Sequence, residues 1–575
     1  MEITDLQYNI LEKRLKEKDD RFSIEDYAFT PENKIYKTLQ PNLTDLDSAA
    51  KLVVQHIKEH NVIILATDID CDGISSGAMG WYCFKDILEV DKDFLKLIIS
   101  SRKFKRGFNS DLVKKVDKIF KDDITPQGLI ITADMGSYDN TTYIELKTKY
   151  PNLDIIVTDH HEIPDDNYPT YANYLINPQR DDNTFGKKLC GCGVLFMLLI
   201  KVHHYLFNSE NDFSSFDTIS AELAPFVAVA TIVDMMSMKD IFNRYLIKLG
   251  LMHGNEIDRN YANYKSLLNI PGDITFKDCS SLIGPLINTA NRTSSEEFCL
   301  AALTSDEDKN SMKFLSYIND LNKVRKKTTE ECLNQFLSSY DFKYTNSYVG
   351  TIDTKLFIGG SVAGAVSGMY LKPSVIFQNT TKDIIPGSAR SGIDGLDILS
   401  IFKSLPKDIV VDAAGHKSAC GISIYRNRLE DFRELFDKQV ENSLKDLILP
   451  TYEPEILLTH EELNLNKALE IMQVGPYGVD FQEPILSTTE PLIVKELIPI
   501  RSFYKLTFIK NDKTEITGMH FFKTNSKMNI NSINIRDMIK PGMKVQVLFT
   551  LGINYYKKEP EAQLEIIDII PQFGE

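Results

Sequence analysis

The chain lacks several features that would place it in a special class of protein. It has no run of about 18 apolar residues, so no segment is predicted to cross a membrane. Its first residues have neither a basic start nor an apolar core, and we expect no secretory signal. The eight cysteines are scattered without a Cys-x-x-Cys pair, which predicts reduced thiols in a cytoplasmic protein.

A surplus of basic residues is missing as well. The chain carries 65 Lys and Arg against 81 Asp and Glu, a net charge of -16, whereas a nucleic-acid partner normally requires a basic footprint. Net charge averages over the whole surface, however, and residues 102–106 and 323–327 form local basic runs. Each run is either an anion contact or a solvated face, so charge alone leaves a nucleic-acid partner open.

The composition is that of an ordinary globular protein, with 43% hydrophobic and 25% charged residues. A chain of 575 residues is expected to form about two to four domains. We predict a polar lead-in at 1–45, an α/β domain at 46–305, a connecting helix at 306–345, a smaller α/β domain at 346–450 and a β-barrel domain at 455–575.

Strands alternate with helices between residues 51 and 250. Apolar runs predict strands at 62–67, 94–100, 128–133 and 154–158, with helical patterns between them. Such alternation is typical of a parallel sheet that helices cover on both faces. The first large domain is therefore predicted to be of the α/β class.

Three of these strands end at an aspartate, namely Asp68, Asp134 and Asp159. Open α/β sheets bind ligands at the carboxyl ends of their strands, so we expect these side chains to converge. The first acid belongs to a cluster with Asp70 and Asp72. Three carboxylates at this spacing would repel one another severely unless a cation lay among them.

Two imidazoles, His160 and His161, follow Asp159 directly, and Asp234 lies in an apolar stretch. One aspartate at a strand end is more often a helix cap than a metal ligand. Several acids with a histidine pair at the same edge instead favour a site for Mg²⁺ or Mn²⁺. Two such ions, about 4 Å apart, generate hydroxide and hold the oxygens of a phosphodiester, so we predict a metal-dependent enzyme acting on phosphate.

Four segments resemble, in this order, the motifs of the DHH phosphoesterase family. They are residues 68–73, 134–136, 159–161 and 231–234, and residues 415–421 resemble the signature of the DHH-associated domain. The resemblance runs from about residue 45 to the C-terminus and is greatest to the RecJ branch, which degrades single-stranded DNA from its 5′ end. It implies a DHH domain and a DHH-associated domain joined by a long helix, with a C-terminal OB-fold.

The resemblance implies a role for each matching residue of the metal centre. The implied ligands of two ions, Mn²⁺ or Mg²⁺, are Asp70, Asp72, Asp134, His160 and Asp234. Asp68 is the neighbouring catalytic acid, and His161 would contact the scissile phosphate or orient the site. Asp159 would fix an imidazole tautomer.

A second set of residues would bind the substrate. It consists of Arg102, Arg292, Ser388, Arg390, Gly415 and His416. Ser388 and Arg390 would hold the terminal 5′-phosphate, because a guanidinium and a hydroxyl bind a phosphate dianion well. His416, which is also a catalytic candidate, would bind a phosphate near the cut. Without the resemblance, the segment from Ser388 to Arg390 would be interpreted as a turn and His416 as a histidine of the core.

The last domain supports a nucleic-acid substrate. Residues 491–575 carry twelve Lys and Arg against nine Asp and Glu, and short alternating strands there predict a small β-barrel. Aromatic rings interleave with cations in this segment: Phe503, Tyr504, Phe508, Phe521, Phe522, Tyr555 and Tyr556 with Arg501, Lys505, Lys523, Lys557 and Lys558. Rings beside cations suit single-stranded DNA, although many of these rings must belong to the core.

The sequence therefore predicts a monomeric exonuclease that converts single-stranded DNA to mononucleotides, with a single-strand-binding protein as a further partner. One alternative is an oligoribonuclease or cyclic-dinucleotide phosphodiesterase of the same family, although such relatives generally lack an OB-fold. The other is an inactive scaffold of a replication complex, against which the intact acids argue. Leu286 stands where many relatives have an arginine.

Overall fold

A computed structural model describes residues 3–572 of the chain, apart from 17, 105–106, 122–126, 164–167, 208–217, 340–342, 371, 394, 446, 448–452, 501–502, 522–538, 556 and 558. The chain divides into two compact units. The first comprises Met1–Asn322 with Gln473–Gln482, and the second comprises Lys323–Met472 with Glu483–Glu575. The division into five segments made from the sequence stays a prediction.

The first unit contains the parallel sheet that the sequence predicts. Its strands are β1 (Val62–Thr67), β2 (Leu95–Ile99), β3 (Gly128–Ala133), β4 (Leu153–Thr158) and β5 (Tyr174–Ile176). The order is β2-β1-β3-β4-β5, and every neighbouring pair is parallel. All residues of β3 are buried, as expected for a sheet with both faces covered.

Helices of the first unit pack on this sheet and on one another. They are α1 (Asp5–Arg14), α2 (Ile24–Phe29), α3 (Glu32–Leu39), α4 (Leu46–Lys58), α5 (Cys71–Tyr82), α6 (Ser110–Phe120), α7 (Asn140–Lys149), α8 (Gly191–Phe207), α9 (Thr218–Val233), α10 (Ile241–Ile257), α11 (Arg259–Leu268), α12 (Phe276–Asp278), α13 (Gly284–Thr293) and α14 (Glu296–Thr304). Single π-helical turns at Cys83–Ile87 and Cys279–Ile283 follow α5 and α12.

The N-terminal segment is more structured than its polar composition indicates. A reciprocal cap between Thr4 and Gln7 starts α1, and Ile10 and Leu11 are completely buried. The charge pattern predicts a helix at 12–20, but α1 ends at Arg14. Apolar burial, which charge spacing does not report, therefore determines where this helix lies.

A buried arginine joins distant parts of the first unit. Arg244 of α10 is completely buried, and its guanidinium donates to the carbonyls of Tyr27, Met238 and residues 474–476. Its Cζ lies 4.3 Å from the centre of the Phe481 ring. Burial lowers the pKa of Arg244 to about 10. The planar group has five donors in fixed positions, which makes it suited to binding several carbonyls at once.

The long helix α15 (Asp308–Ser339) leads into the second unit. It matches the helix predicted between 307 and 340, of which residue 340 lies outside the described residues. The first sheet of the second unit has β6 (Tyr348–Ile352), β7 (Ser374–Gln378), β8 (Ile384–Arg390), β9 (Val410–Gly415) and β10 (Ala419–Tyr425), with helices α16 (Gly359–Tyr370), α17 (Ile398–Ser404) and α18 (Leu429–Lys445). The strand order is β6-β7-β8-β10-β9.

The C-terminal strands form the predicted barrel. The elements are β11 (Ile456–Leu458), α19 (Leu465–Gln473), β12 (Leu486–Thr488), β13 (Leu492–Ile500), β14 (Phe503–Ile509), β15 (Glu515–Phe521), β16 (Lys544–Asn554) and β17 (Glu561–Pro571). Strands β13 to β17 close into a ring, because β17 pairs with both β15 and β16, and β16 pairs with β13. The strict alternation of burial along β14 fits a barrel wall.

Two of the rings in this segment belong to the barrel core, as was expected for many of them. Tyr504 is 7% exposed and Phe508 is not exposed at all, so neither side chain presents a free face. Arg501, Phe522, Lys523, Tyr556 and Lys558 lie outside the described residues. Among the described helices, none is both long and apolar enough to cross a bilayer.

Candidate metal centre

The first acidic cluster lies in the connection between β1 and α5. Asp70 caps α5, and its Oδ1 accepts from the backbone N–H groups of Asp72, at 3.2 Å, and Gly73, at 3.4 Å. The side chain of Asn288 accepts from the N–H of Cys71 at 3.1 Å. Asp68 is 6% exposed. These bonds fix the loop, so that its carboxylates lie at the carboxyl edge of the sheet.

Asp72 is held by the start of α8. Its two carboxylate oxygens accept from the N–H groups of Gly191, at 2.7 Å, and Cys192, at 2.8 Å, a favourable contact between an anion and a helix N-terminus. A Cβ at Gly191 would lie 2.5 Å from Oδ1 of Asp134, so this position requires glycine. Burial and the charge of Asp70 nevertheless raise the pKa of Asp72.

Asp134 follows β3 and is 2% exposed. Its φ of +62° lies in the left-handed region, which residues other than glycine adopt rarely and mostly at functional sites. Among the described residues, Oδ1 has no hydrogen-bond partner. Burial, followed by the charges of Asp72 and Asp70, raises the pKa of Asp134 well above its usual range. A buried carboxylate in this state lacks a compensating positive charge.

His160 lies at the centre of the cluster. Its Nε2 is 3.2 Å from Oδ1 of Asp134, without hydrogen-bond geometry, 3.6 Å from Oδ2 of Asp234 and 3.8 Å from Oδ2 of Asp72. Asp234 follows directly after α9. Three overlapping groups of residues could hold a metal ion, and within each group the ligand atoms lie within 4.8 Å of one another. The groups are Asp134, His160 and His161; Asp72, His160 and Asp234; and Asp68, Asp70 and Asp134.

The donor set fits divalent cations. Carboxylate oxygens and one or two imidazole nitrogens are the ligands that Mn²⁺ accepts, and carboxylates alone suit Mg²⁺. The groups that share Asp134 provide room for more than one ion. Oδ1 of Asp134, which has no hydrogen-bond partner among the described residues, is the atom whose environment most clearly requires a cation.

Asp159 has the opposite environment, although it is completely buried. Its Oδ2 accepts from the N–H of Ser137 at 2.9 Å, and its Oδ1 accepts from the N–H of His160 at 2.7 Å and from Nδ1 of His161 at 2.8 Å. Burial alone would raise the pKa of Asp159, but the bond and charge of His161 outweigh it and lower the pKa. Asp159 thus orients the His161 ring.

His161 gains a positive charge from this contact. Burial lowers its pKa, but the hydrogen bond and charge of Asp159 more than offset this and raise the pKa to about 9. Asn177 supports the same network, since its side-chain amide donates to Oγ of Ser137 at 2.7 Å and to the carbonyl of His161 at 2.9 Å. With Nδ1 bonded to Asp159, Nε2 of His161 is the nitrogen left for a ligand.

Arg102 and Arg292, which are predicted to bind the substrate, belong to the first unit but to none of the three groups of possible metal ligands. Arg102 lies in the loop after β2, where its backbone N–H donates to Oε1 of Glu296 at 3.0 Å. Arg292 lies in the last turn of α13. Leu286 is completely buried in the same helix. Its side chain therefore packs in the core.

Ser388 and Arg390 lie together on β8 of the second unit, beside the first turn of α16. A Cβ at Gly359 would lie 3.6 Å from Oγ of Ser388, and a Cβ at Gly360 would lie 3.0 Å from a guanidinium nitrogen of Arg390. Burial lowers the pKa of Arg390. A helix N-terminus beside a guanidinium and a hydroxyl is a suitable anion site.

Gly415 and His416 lie at the tip of the β9–β10 hairpin. Gly415 has φ of +130°, and the turn is closed by hydrogen bonds between His416 and Ala419, at 3.0 and 3.3 Å. His416 is exposed. An exposed hairpin tip is accessible to a large ligand, and a core role for this histidine is excluded.

The sequence did not identify several residues that hold the ligands in place. Asn288, Ser137 and Asn177 act through hydrogen bonds to the loops of the centre, while the N–H groups of Gly191 and Cys192 bind Asp72. Asn177 and Asn288 both lie in stretches that resemble the family. Residue type was the available signal, because an asparagine that is shielded from water needs hydrogen-bond partners; Asn177 is completely buried and Asn288 is partly buried.

Comparison with known proteins agrees with this geometry. The model of the DHH family, N-terminal domain, matches residues 61–231, and the model of the RecJ OB domain matches residues 455–568. The first match contains Asp68 to His161, the residues that the sheet brings together. The chain therefore contains an N-terminal domain of the DHH family and a RecJ OB domain.

Individual relatives come from the RecJ branch. The "Single-stranded-DNA-specific exonuclease RecJ" of Salmonella typhimurium is 24% identical over 92% of this chain and 91% of its own length. The protein of the same name from Haemophilus influenzae is 26% identical over 78% of each chain. The fold matches the crystal structure of RecJ in complex with Mn²⁺ from Thermus thermophilus, with a TM-score of 0.72, 20% identity, and coverage of 100% of this chain and 79% of that chain.

Proposed function

We propose that this protein is a metal-dependent exonuclease that degrades single-stranded DNA in the 5′→3′ direction to mononucleotides, in DNA repair, recombination or replication. One observation carries the proposal. Carboxylates and imidazoles from four separate segments form overlapping groups of possible metal ligands around Asp134 and His160, and the buried Oδ1 of Asp134 has no hydrogen-bond partner among the described residues. The RecJ OB domain and the names of the relatives support the substrate.

The proposed ligands of two Mn²⁺ or Mg²⁺ ions are Asp70, Asp72, Asp134, His160 and Asp234, with Asp68 beside them. When bound, such ions lower the pKa of a water molecule and stabilise charge on phosphate oxygens. Asp72 and Asp134 are positioned for this by α8 and by the end of β3 respectively. Because the protein holds these acids close together before any ion binds, binding relieves their repulsion.

His161 is proposed to contact the scissile phosphate. Asp159 keeps the Nδ1 proton of His161 in a hydrogen bond of 2.8 Å, which leaves Nε2 for a phosphate oxygen. In the metal-free chain the contact with Asp159 raises the pKa of His161 to about 9, so before any ion binds the ring is cationic at neutral pH and can donate a hydrogen bond. Asp159 therefore acts on the substrate through the ring that it orients.

The substrate-binding roles of Arg102, Arg292, Ser388, Arg390, Gly415 and His416 are likewise proposals. The arrangement of Ser388 and Arg390 at the start of α16 supports a terminal phosphate as their ligand. Anchoring a 5′-phosphate would set the direction of cleavage. We further propose, on the resemblance alone, that the enzyme acts as a monomer in the cytoplasm and that a single-strand-binding protein is a partner.

A comparison of labelled substrates tests this function. We expect Mn²⁺-dependent release of mononucleotides from the 5′ end of single-stranded DNA. Asp134→Ala and His160→Ala should abolish cleavage while DNA binding stays measurable. The control Asp117→Asn removes an acid that pairs with Lys149 and Tyr150 elsewhere and should be fully active.

Three outcomes would contradict the proposal. Full activity of either alanine variant would remove the metal centre from the reaction. A strong preference for RNA or for dinucleotides over single-stranded DNA would favour the oligoribonuclease or cyclic-dinucleotide phosphodiesterase. No cleavage of any substrate with either metal would favour the inactive scaffold.

A further inference from the structure

The metal centre opens to solvent on one side. The side chains of Asp72, Asp134 and Asp159 are almost completely buried. Those of His161 and Asp234, in contrast, are 37% and 31% exposed. A phosphodiester must therefore approach the centre from the side where His161 and Asp234 lie. Residues next to these two are placed to contact the parts of a substrate that flank the phosphate.

Met235 directly follows Asp234, and its environment is unusual for a methionine. It is 68% exposed, the highest value among the large apolar side chains in the described part of the chain. Its φ of +57° lies in the left-handed region, where a bulky residue is strained and where glycine commonly follows the end of a helix. Its Cα lies about 3.8 Å from that of Asp234. The protein thus holds a large apolar group in water beside a proposed metal ligand.

The loop that carries Met235 is fixed by buried contacts of the residues that follow it. Met238 is 1% exposed, and its N–H donates to the carbonyl of Val479 at 2.8 Å. The carbonyl of Met238 accepts from the guanidinium of Arg244 at 3.2 Å. A strained backbone persists where its surroundings determine it, and such residues are concentrated at functional sites. The fold therefore imposes the exposed position of Met235.

We propose that Met235 contacts a nucleobase that flanks the scissile phosphate of single-stranded DNA, an inference that rests on the proposed exonuclease function. The phosphate is assigned to His161 and the acidic cluster, so the group of a nucleotide that suits a thioether beside them is the flat face of its base. A contact with this face does not depend on the hydrogen-bonding edge of the base. Met235 would thus hold each base in turn as nucleotides are removed one after another.

Binding of a fluorescently labelled, 5′-phosphorylated oligodeoxynucleotide tests this contact. We suggest measuring fluorescence anisotropy with Mn²⁺ in the full chain carrying His160→Ala, which is expected to bind DNA without cleaving it. Adding Met235→Gly to this parent should weaken binding about fivefold, because an apolar contact is lost. The melting temperature should stay the same or rise, since glycine relieves the strained φ. Met235→Leu keeps an apolar side chain and should bind within about twofold of the parent.

Two controls assign the effect to the base. Met252→Ala removes another exposed methionine, a residue of α10 that is 52% exposed, and should bind like the parent. The second control is an oligodeoxynucleotide that lacks the bases of its first two nucleotides. Met235→Gly should bind this abasic strand as tightly as the parent does, because the partner of the side chain is missing.

The inference is overturned if Met235→Gly binds the complete strand as tightly as the parent, if its deficit persists on the abasic strand, or if Met252→Ala shows the same deficit. A protein that binds DNA through Met235 but releases no mononucleotides would contradict the proposed function alone. A protein that cleaves DNA and binds it equally well without Met235 would contradict this inference alone. Absence of binding, with and without His160→Ala, would contradict both.

Discussion

The ends of β3 and β4 carry two buried aspartates with opposite electrostatic environments. Asp159 accepts hydrogen bonds from backbone N–H groups and from His161, and its pKa is lowered despite complete burial. Asp134, equally deep, is surrounded by other acids, and its pKa is raised well above the usual range. Burial is the same at the two positions, so the neighbours decide which carboxylate is stable as an anion.

This difference separates two roles within one site. A carboxylate that the chain itself satisfies is part of the fold and holds a ring in position. A carboxylate that other carboxylates surround destabilises the metal-free fold and is stabilised by a cation. The protein can therefore bring the ligands of such a centre together before any ion binds. The repulsion between the carboxylates destabilises the metal-free fold, and ion binding offsets this destabilisation.

Among the variants considered, Asp134→Asn should have the largest effect on activity. Removing this ligand charge is expected to lower exonuclease activity by about a thousandfold or more. In the metal-free protein the same change should raise the free energy of unfolding by about 1–3 kcal/mol, because a buried, uncompensated charge is lost. Digestion of 5′-labelled single-stranded DNA and urea denaturation with chelator measure the two effects.

The sign of the stability change is the informative part. A variant that loses activity and also loses stability without metal would show that Asp134 is compensated in the fold, as Asp159 is. Our account requires the two measurements to move in opposite directions.

Asp159→Asn should have a smaller effect on activity and the opposite effect on stability. The amide cannot keep the charge-assisted bond to Nδ1 of His161, so we expect a loss of activity of about 10- to 100-fold. The metal-free protein should lose about 1–3 kcal/mol, because the N–H donors around residue 159 lose their anion. The same two assays apply, and a stabilised variant would contradict the contrast.

His520 of the barrel is a second buried side chain whose polar atoms have no hydrogen-bond partner among the described residues, and it can be compared with Asp134. It is 1% exposed, and within the described residues neither ring nitrogen has a hydrogen-bond partner. Unlike Asp134, it belongs to none of the groups able to hold a metal among the residues described. A buried atom without a hydrogen-bond partner therefore indicates a metal site only where other possible ligand atoms lie close to it.

His520→Leu should change the dependence of stability on pH. Burial lowers the pKa of His520 to about 4, so between about pH 6.5 and pH 4 the unfolded chain binds a proton that the folded chain does not. This costs the original chain stability as pH falls through that window. The variant should gain about 3 kcal/mol at pH 4 relative to its difference at pH 7, measured by urea denaturation; a constant difference would show that His520 ionises normally.

The architecture could be predicted from the sequence because it depends on local patterns. Apolar runs identify β1, β3 and β4 within one or two residues, and the rule on strand ends brings Asp68, Asp134 and Asp159 to one edge. The alternation after residue 455 likewise predicts the barrel. Each of these inferences needs only residues close together in the chain.

The support of the site could not be predicted, because it depends on contacts between distant residues. The bonds from Gly191 and Cys192 to Asp72 cross about 120 positions, and Arg244 binds carbonyls more than 200 positions away on both sides of the chain. A hydrogen bond to a backbone N–H has no side-chain signature at the donor. Many rings of the last domain were expected to belong to the core, but that Tyr504 and Phe508 are among them could not be predicted, since a strand pattern does not say which face is inside.

Direct titration of the metal-free chain with Mn²⁺ tests the central claim most simply. Calorimetry should find two Mn²⁺ ions per chain, with thermal stability rising as they bind, and Asp134→Asn should bind fewer ions and gain less stability. A chain that binds no Mn²⁺, or an Asp134→Asn variant that binds the same number with the same gain, would contradict the account.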